Sequence, residues 1–373
     1  MQFRDLKRQY QALKPEIDAG IQSVIESAAF ILGGPVTELE EKLADYTGRK
    51  HCIGVANGTD ALQLAMMTWG VSSGDAVFTS DFTYFASAGS GSILGATPVF
   101  VDIDLKTFNL DPDHLEKQIR RVLDEGKLTP KVIIPVDLFG QPADYDRILP
   151  IAEKYGLKVL EDGAQGFGGS IRGKKACSFG DLSTTSFFPA KPLGCYGDGG
   201  AIFTDDDEAD MRLRSLRAQG KSPTDKYDNR EIGMNSRLDT LQAAILLAKF
   251  KAFADHETDD VNRAAGWYTE RLNGVCVTPD VPEGYRSSWA QYTVLFGDQE
   301  ERDEIRAKLK ARGIPSMIYY PRGLHQQEAY RWMELPDSDY PNTIEATRRG
   351  LSLPIHPYIT EEEVDLVCST IME

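Results

Sequence analysis

The stretch "SFFPAKPLGCYGDGG", residues 186–200, decides the fold. It places a lone lysine, Lys191, directly after an apolar run that is typical of a buried strand. Pro189, Pro192 and the glycines that recur from Gly194 onward keep the backbone from continuing as a strand or a helix. Most lysines are solvated surface charges, and that is the alternative here. The pattern nevertheless predicts a lysine that points into a cleft at the end of a strand.

Short β-rich runs alternate with helical patterns on both sides of this stretch, from about residue 50 to residue 205. Strands that alternate with helices predict a largely parallel sheet with both faces covered. Near-continuous apolar runs fit strands that are buried on both faces. The predicted strands are HCIGVAN, DAVFTS, TPVFVDID, KVIIPVDLFG, LKVLED, LSTTSFF and GAIFTD.

Three helix starts are predicted in this region. Thr37 is expected to cap one helix, with Glu40 three residues later completing a capping box. A second helix is expected to begin at Thr59 or Asp60, and a third to run over residues 84–94.

A long helical pattern from residue 236 leads into a second unit. There WAQYTVLF, the helix DQEERDEIRAKLKARG and IPSMIYYP together predict a small α+β unit. We therefore predict an α/β protein with a large domain over residues 1–250 and a small C-terminal domain over residues 251–373.

The composition excludes several classes of protein. A formal net charge of −16 over 373 residues argues against nucleic acid and against anionic membrane surfaces as partners. The five cysteines form no Cys-x-x-Cys pair, so neither a zinc ribbon nor a disulfide framework is expected. The polar first residues and the absence of a long apolar run favour a cytoplasmic protein. No motif typical of metalloproteases, P-loop enzymes or serine hydrolases occurs.

Three segments that follow predicted strands carry residues suited to binding or catalysis. In ANGTDALQLAM, Gly58 permits a tight turn, and the helix start with the Thr59 hydroxyl offers a phosphate site, although an ordinary helix cap is the simpler alternative. In KVLEDGAQGFGG, Asp162 ends a buried strand with Gln165 three residues later; a structural carboxylate is the alternative. The third segment holds Ser186 five residues before Lys191.

One cofactor uses all three segments together. Pyridoxal phosphate needs an anion cradle, a lysine that forms a Schiff base and a carboxylate against its pyridine nitrogen. A desolvated lysine has a lowered pKa, which suits it to both covalent attachment and proton transfer. The sequence therefore predicts that Lys191 binds pyridoxal 5'-phosphate.

The motifs NGTDAL, DFTYFASA, EDGAQGFGG, SFFPAKPLGCYGDGG and NSRLDTLQAAIL resemble those of the DegT/DnrJ/EryC1/StrS sugar-nucleotide aminotransferases. The resemblance runs from DLKRQY to LSLPIHPYIT, nearly end to end. It implies an aspartate-aminotransferase-like fold (PLP fold type I), a homodimer with shared active sites, and L-glutamate as the amino donor. Within the family, the chain most resembles bacterial enzymes that aminate UDP-2-acetamido-2-deoxy-3-oxo-D-glucuronate for surface polysaccharides such as the O-antigen of lipopolysaccharide.

The resemblance also implies a role for each matching residue. Lys191 and Asp162 would be catalytic, with Lys191 moving a proton and Asp162 pairing with the pyridinium nitrogen. The other cofactor-binding residues would be Gly58, Thr59 and Ser186 at the phosphate, Tyr84 stacked on the ring, Gln165 beside the ring oxygen, and Asn235 reaching the phosphate from the neighbouring subunit. The substrate-binding residues would be Arg237, Tyr319 and Tyr320.

Several of these roles have structural alternatives. Tyr84 could be a core aromatic residue, Asn235 a helix cap and Arg237 half of a surface ion pair. Relatives usually have His-Tyr-Pro where this chain has Tyr-Tyr-Pro at residues 319–321, and a tyrosine carries no positive charge at neutral pH. His325 and His356 are predicted to be structural histidines with satisfied hydrogen bonds.

Other functions stay open at this point. A 4-oxo sugar or a dTDP-linked 3-oxo deoxysugar would keep the mechanism and change only the sugar pocket. A dehydratase of the same family would need the lysine replaced, and Lys191 argues against it. A regulator that binds the cofactor without turnover is the alternative from a different class, and the net charge argues against a DNA-binding form of it.

Overall fold

A seven-stranded sheet forms the centre of the computed structural model, which describes residues 1–222, 224–225 and 227–373. The strands of this part of the chain are β1 (His51–Val55), β2 (Asp75–Ser80), β3 (Thr97–Val101), β4 (Thr129–Ile134), β5 (Lys158–Asp162), β6 (Ser170–Ile171), β7 (Lys174–Lys175), β8 (Leu182–Ser186), β9 (Gly200–Thr204), β10 (Tyr285–Arg286), β11 (Tyr292–Leu295) and β12 (Gly350–Leu353). The predicted strands of the large domain are all present.

The strand order across the large sheet is β1-β9-β8-β5-β4-β2-β3. Five of these strands, β3, β2, β4, β5 and β8, pair in parallel, and β9 runs antiparallel to both of its neighbours. This confirms the predicted, largely parallel sheet. Because parallel strands end at one edge of a sheet, the segments that follow β2, β5 and β8 meet there.

Helices cover both faces of this sheet. The helices of the described chain are α1 (Leu6–Ser27), α2 (Gly34–Thr47), α3 (Gly58–Thr68), α4 (Ala86–Ile93), α5 (Pro112–Glu125), α6 (Tyr145–Tyr155), α7 (Asp207–Leu216), α8 (Thr240–Ala252), α9 (Thr258–Leu272), α10 (Gln299–Ala311), α11 (Pro341–Arg349) and α12 (Glu361–Met372). Alternate strand residues pack in opposite directions: Ile133 and Val159 join the cluster of α5 and α6, while Ile134 and Leu160 join that of α3. This explains the near-continuous apolar strand sequences.

The C-terminal unit has its own core. β11 and β12 pair antiparallel, and a cluster of buried side chains joins them to α9, α10 and α12. IPSMIYYP, expected to extend this unit, contributes an isolated bridge between Met317 and Ser352 rather than a strand. The predicted boundary at residue 250 falls inside α8, which continues through a π-helical turn, Phe253–Glu257, into α9. The division of the chain at 250 stays a prediction.

The predicted cap of α2 at Thr37 is wrong. The helix begins at Gly34 with Gly33 as its N-cap, and Thr37 lies exposed within it. Pro35 explains the earlier start, because proline lacks an N–H and its fixed φ suits the first turn of a helix. The Gly33 N–H is satisfied at 3.0 Å by the Thr240 hydroxyl rather than within its own helix.

The two other predicted helix starts are close but not correct. α3 begins at Gly58, one residue before the predicted start, because the Asn57 side chain caps it by accepting from the Asp60 N–H at 2.8 Å. α4 begins at Ala86, two residues later than predicted. None of the described helices is long and apolar enough to cross a bilayer.

Candidate active site

The three segments singled out in the sequence meet at one edge of the large sheet. β5 ends at Asp162 and β8 at Ser186, and the parallel register of the two strands sets Asp162 opposite Thr184. The turn after β8 carries Lys191. α3 starts beside the same strand end, since a Cβ on Gly58 would lie 2.8 Å from the Ser186 Cβ.

This close approach, rather than a tight turn, is what requires glycine at position 58. Gly58 is the first residue of α3, and a side chain there would push the helix away from Ser186. The first N–H groups of a helix have no partner within the helix, and the helix dipole adds positive potential there. The start of α3, the Thr59 hydroxyl and the Ser186 hydroxyl therefore form an arrangement that suits a phosphate.

Asp162 lies at the bottom of this region and is 4% exposed. One of its oxygens accepts a hydrogen bond from the Ser87 hydroxyl at 2.8 Å, and the other accepts from the Ala164 N–H at 3.2 Å. Burial raises the pKa of Asp162, and the Ser87 hydrogen bond and the positive charge of Lys191 oppose that shift. A cation placed against this carboxylate would favour its ionised form.

Ser87 had no role in the sequence analysis. It lies in the first turn of α4, three residues after Tyr84, and the sheet edge brings that turn against β5. The motif DFTYFASA contained it, but only the position of α4 relative to β5 assigns its hydroxyl to Asp162.

Lys191 is partly buried in the turn after β8. Burial lowers its pKa to about 8; the charge of Asp162 opposes this shift, and the charge of Arg4 adds to it. Among the residues that the structure describes, no carboxylate oxygen lies within 4.0 Å of the Lys191 amine. The amine is therefore neutral in a useful fraction of molecules near neutral pH, as a nucleophile or a base requires.

Gln165 connects the site to the C-terminal unit. Its side-chain oxygen accepts from the Phe139 N–H at 2.8 Å, and its amide nitrogen donates to the Tyr320 hydroxyl at 3.2 Å. The Tyr320 ring packs edge-on against Phe82 with 5.7 Å between centroids. Tyr319 lies next to it, 6.1 Å from the ring of Phe3. Tyr320, one of the three predicted substrate residues, thus contacts Gln165, and Tyr319 is its neighbour in the chain.

Tyr84 is not a core residue. Its side chain is 60% exposed and lines a groove of about 610 Å³ together with Thr59, Phe85, Ile93 and Trp332. The alternative interpretation of Tyr84 as a buried core aromatic is therefore wrong.

Asn235 and Arg237 contact each other. The Arg237 guanidinium donates to the Asn235 side-chain oxygen at 2.5 Å, and the described hydrogen bonds join neither residue to Asp162 or Lys191. The helix-cap alternative for Asn235 is wrong, because the N-cap of α8 is Asp239. The ion-pair alternative for Arg237 is wrong as well, since no described carboxylate lies within 4.0 Å of it.

The two histidines differ. Both ring nitrogens of His325 have partners, Asp81 at 2.6 Å and Asp337 at 3.0 Å, which confirms a structural role. The Nδ1 atom of His356 is buried without a hydrogen-bond partner. The prediction that the hydrogen bonds of His356 are satisfied is therefore wrong. Burial lowers the pKa of His356 to about 4.

Comparison with known proteins identifies the family. Residues 11–372 match the model of the DegT/DnrJ/EryC1/StrS aminotransferase family. The chain belongs to this family. It is 46% identical to UDP-2-acetamido-2-deoxy-3-oxo-D-glucuronate aminotransferase of Pseudomonas aeruginosa, over 100% of this chain and 99% of the relative. It is 40% identical to UDP-N-acetyl-3-dehydro-alpha-D-glucosamine 3-aminotransferase of Acidithiobacillus ferrooxidans, over 98% of this chain and 96% of the relative.

Two solved structures superpose closely on this aminotransferase. One from Brucella abortus has a TM-score of 0.96 and 46% identity, and the match covers 100% of this chain and 98% of the other. NtdA from Bacillus subtilis, solved with bound cofactor PMP, has a TM-score of 0.87 and 28% identity, over 99% of this chain and 82% of the other. The predicted family, the fold class, the aminotransferase activity and pyridoxal phosphate as cofactor are confirmed.

The residues at the sheet edge fit that cofactor. The start of α3 suits its phosphate, the buried Asp162 suits a protonated ring nitrogen, and Lys191 offers an amine that is not locked in an ion pair. Within the described residues, no three His, Cys, Asp or Glu side chains form a group that could hold a metal ion.

Proposed function

We propose that this aminotransferase moves the amino group of L-glutamate to the keto carbon of UDP-2-acetamido-2-deoxy-3-oxo-D-glucuronate. The products are 2-oxoglutarate and the 3-amino sugar nucleotide. The observation that carries the transfer chemistry is the pair of groups at the strand ends, the partly buried Lys191 without an ion-pair partner and the buried Asp162 near it. The choice of sugar rests on the full-length similarity to the Pseudomonas aeruginosa enzyme.

When bound, pyridoxal phosphate supplies an electron sink that stabilises negative charge on the carbon next to the transferred nitrogen. Asp162 would face the ring nitrogen and keep it protonated, and the Ser87 hydrogen bond would hold the carboxylate in that orientation. Thr59, Ser186 and the first N–H groups of α3 would hold the phosphate.

Lys191 would attach the cofactor and then act as acid and base at its Nζ. A pKa of about 8 leaves the amine able to take a proton from the donor carbon and to return one to the sugar carbon at neutral pH. Gln165 would orient the ring from the side, held in place by the Phe139 N–H and the Tyr320 hydroxyl.

The proposal includes a homodimer. Asn235 would reach the cofactor phosphate of the neighbouring subunit, and Arg237 would offer its charge to an anionic substrate. The exposed apolar side chains of Tyr84, Phe85 and Trp332 support a covered surface next to the site.

A second candidate keeps the reaction and changes the sugar. Tyr319 stands where relatives usually have histidine, and a neutral phenol favours a sugar without a carboxylate, such as a dTDP-linked 3-oxo or a 4-oxo deoxysugar. The cytoplasm as compartment, and O-antigen or lipopolysaccharide as the end product, stay predictions from the sequence.

The visible absorption spectrum of the protein with pyridoxal phosphate tests the proposal. The wild type is expected to gain a cofactor band that Lys191→Ala lacks, and L-glutamate should convert the band. Asp162→Asn should bind the cofactor and lose most of the conversion. A band in wild type that Lys191→Ala retains would remove the lysine from its role. A band indifferent to glutamate would leave the donor open or favour a regulator without turnover.

Mass spectrometry of the sugar product then decides between the substrates. The purified enzyme is given the UDP-linked 3-oxo uronate, the UDP-linked 3-oxo-N-acetylglucosamine and a dTDP-linked 3-oxo deoxysugar side by side, each with L-glutamate. The highest kcat/KM is expected for the uronate, and preference for either neutral sugar would select the second candidate.

A further inference from the structure

Two cationic side chains that the proposed site does not use, the partly buried Arg4 and the buried Lys249, contact the turn that carries Lys191. The Arg4 guanidinium donates to the Pro192 carbonyl at 3.3 Å. The Lys249 ammonium donates to the Gly194 carbonyl in a short hydrogen bond. These carbonyls lie one and three residues after Lys191, so both cations hold the backbone that presents it.

Lys249 is an unusual core residue. It lies on α8, is 1% exposed, and its Nζ sits 5.2 Å from the centroid of the Tyr196 ring. No described carboxylate oxygen lies within 4.0 Å of it, and burial lowers its pKa to about 8. A leucine or methionine would fill such a position without the cost of burying an amine. The hydrogen bond to Gly194 is the interaction that a leucine or methionine could not make.

The turn itself is closely packed. The Lys191 N–H donates to the Phe188 carbonyl and the Cys195 N–H to the Phe187 carbonyl, each at 2.8 Å. A Cβ on Gly194 would lie 2.5 Å from the Pro189 carbonyl oxygen. A turn this tight changes its course if one of its carbonyl partners is removed, and Lys191 moves with it.

Arg4 adds an electrostatic contribution. No described carboxylate lies within 4.0 Å of its guanidinium, and its Nη1 is buried without a hydrogen-bond partner. Its charge lowers the pKa of Lys191, of Lys249 and of His356. Because no carboxylate neutralises the Arg4 guanidinium by direct contact, its positive charge disfavours the protonated form of the Lys191 amine.

The negative charge of Glu257 partly compensates the positive charges of Arg4 and Lys249. Glu257 raises the pKa of both Arg4 and Lys249, and it is held in place by the Gln9 amide at 2.9 Å and the Tyr358 hydroxyl at 2.7 Å. Glu257 ends the π-helical turn between α8 and α9, so the charge balance of the turn depends on residues from three separate parts of the chain.

We propose that Arg4 and Lys249 are positioning residues for Lys191, with Lys249 fixing the turn through Gly194 and Arg4 holding Pro192 and placing an unpaired positive charge beside it. The inference rests on the proposed role of Lys191. It adds Arg4, in the segment before α1, to the machinery of the site.

Labelling of Lys191 in the cofactor-free, full-length protein tests this. The protein is treated with a trace of acetic anhydride at a series of pH values, and the extent of acetylation of the Lys191 peptide is measured by mass spectrometry. Arg4→Met should move the half-maximal labelling of Lys191 to higher pH by about 0.5 to 1 pH unit, because a nearby positive charge is lost. Arg4→Lys keeps the charge and should leave the midpoint close to that of the wild type.

Lys249→Met should also raise the midpoint, toward the value of about 10.4 for a solvated lysine, because the loosened turn admits water to Lys191. The controls are Arg8→Met, which removes an exposed arginine paired with Glu363, and Lys251→Met on the exposed side of α8. Neither control should move the midpoint.

An unchanged midpoint in both Arg4→Met and Lys249→Met, with thermal unfolding that shows folded protein, would overturn the inference. If Lys249→Met does not fold, the comparison of Arg4→Met with Arg4→Lys decides: equal midpoints in these two variants overturn it. A Lys191→Ala variant that retains the cofactor band would defeat the proposed function instead, whatever the labelling shows. The two failures are therefore distinguishable.

Discussion

Two regions of this aminotransferase bury charged groups and treat them differently. Beside β1, the buried carboxylate of Glu40 accepts from the Gly54 N–H at 2.8 Å, from Arg214 at 2.8 Å and from Arg217 at 2.6 Å. At the carboxyl edge of the sheet, Asp162 has two neutral hydrogen-bond donors, and Lys191 has no ion-pair partner among the described residues.

The difference separates stabilising charges from functional ones. A buried carboxylate that is fully paired has no capacity left for a ligand, and removing it leaves its partners uncompensated. A buried carboxylate and amine that are held near each other without direct pairing cost free energy in the fold, and they keep their capacity for a cofactor. We therefore expect the Glu40 cluster to govern stability and the Asp162 region to govern catalysis.

Lys191→Ala should cause the largest loss of transamination activity and no loss of stability. Loss of the amine removes both cofactor attachment and proton transfer, and proton transfer alone is worth about 10²–10⁴-fold in rate. The free energy of unfolding of the cofactor-free protein should stay the same or rise, since a buried amine without an ion-pair partner is removed. Steady-state transamination and urea unfolding measure the two effects, with Lys251→Ala as control. A marked loss of stability in Lys191→Ala would contradict the assignment of this region to catalysis rather than to stability.

Glu40→Ala should show the reverse. Two arginines lose their buried partner, so the free energy of unfolding should fall by about 3–5 kcal/mol. The folded fraction should keep a kcat close to that of the wild type, because Glu40 contacts neither Lys191 nor Asp162. Urea unfolding and kcat per folded molecule check this, and Glu41→Ala, on the exposed side of α2, is the matched control. An unchanged unfolding midpoint would show that Glu40 is not stabilising.

A third buried carboxyl group sharpens the comparison. Asp137 contacts Glu161, which lies next to Asp162 on β5. Burial, then the Glu161 charge, raises the pKa of Asp137 well above its usual range, which favours its protonated form. One oxygen of Asp137 accepts from the Tyr145 hydroxyl and the Ala143 N–H, and the other is buried without a hydrogen-bond partner. Here no arginine compensates the buried carboxyl groups, and the raised pKa of Asp137 favours a neutral group instead.

Asp137→Asn should therefore change how stability depends on pH. A carboxyl group with a raised pKa in the folded state stabilises fully below its unfolded pKa of about 3.9, and that contribution is lost as pH rises toward the folded pKa. The free energy of unfolding of the wild type should fall relative to Asp137→Asn by about 1.4 kcal/mol per pH unit above that value. The measurement is urea unfolding between about pH 5 and pH 8. This range lies above the unfolded carboxyl pKa of about 3.9, so the difference between the two proteins should change throughout it.

The control for this titration is Asp124→Asn, an exposed carboxylate on α5. A constant difference between wild type and Asp137→Asn over the pH range would mean that the pKa of Asp137 is not raised in the folded protein.

Ser87→Ala should have the smallest effect. The variant removes one hydrogen bond to Asp162 and leaves the carboxylate itself, so kcat should fall by about fivefold, equivalent to roughly 1 kcal/mol. Ser90→Ala is the control on the same helix, because the Ser90 hydroxyl donates to the Ala86 carbonyl. Equal kcat values for the two variants would remove Ser87 from the support of Asp162.

The helix starts show where local sequence was misleading. Thr37 and Glu40 form a capping pattern in the sequence, yet Glu40 turns to Arg214 and Arg217, which lie more than 170 residues away. A capping box is a local pattern, and a buried ion cluster outweighs it. The start of α2 is explained instead by Pro35, which also acts locally because it lies in the first turn of the helix.

The sequence by itself determined the alternation of strands and helices, the family motifs and the candidate residues Lys191, Asp162 and Gln165. Apolar periodicity, proline and glycine act over a few residues, so these features can be inferred without tertiary contacts. Tertiary structure decided what reaches those residues: Ser87 for Asp162, Tyr320 for Gln165, and Arg4 and Lys249 for the turn of Lys191. Each of these contacts joins segments at least 55 residues apart. Hydrogen bonds and charges at that separation depend on how the chain folds back on itself, and no local pattern encodes them.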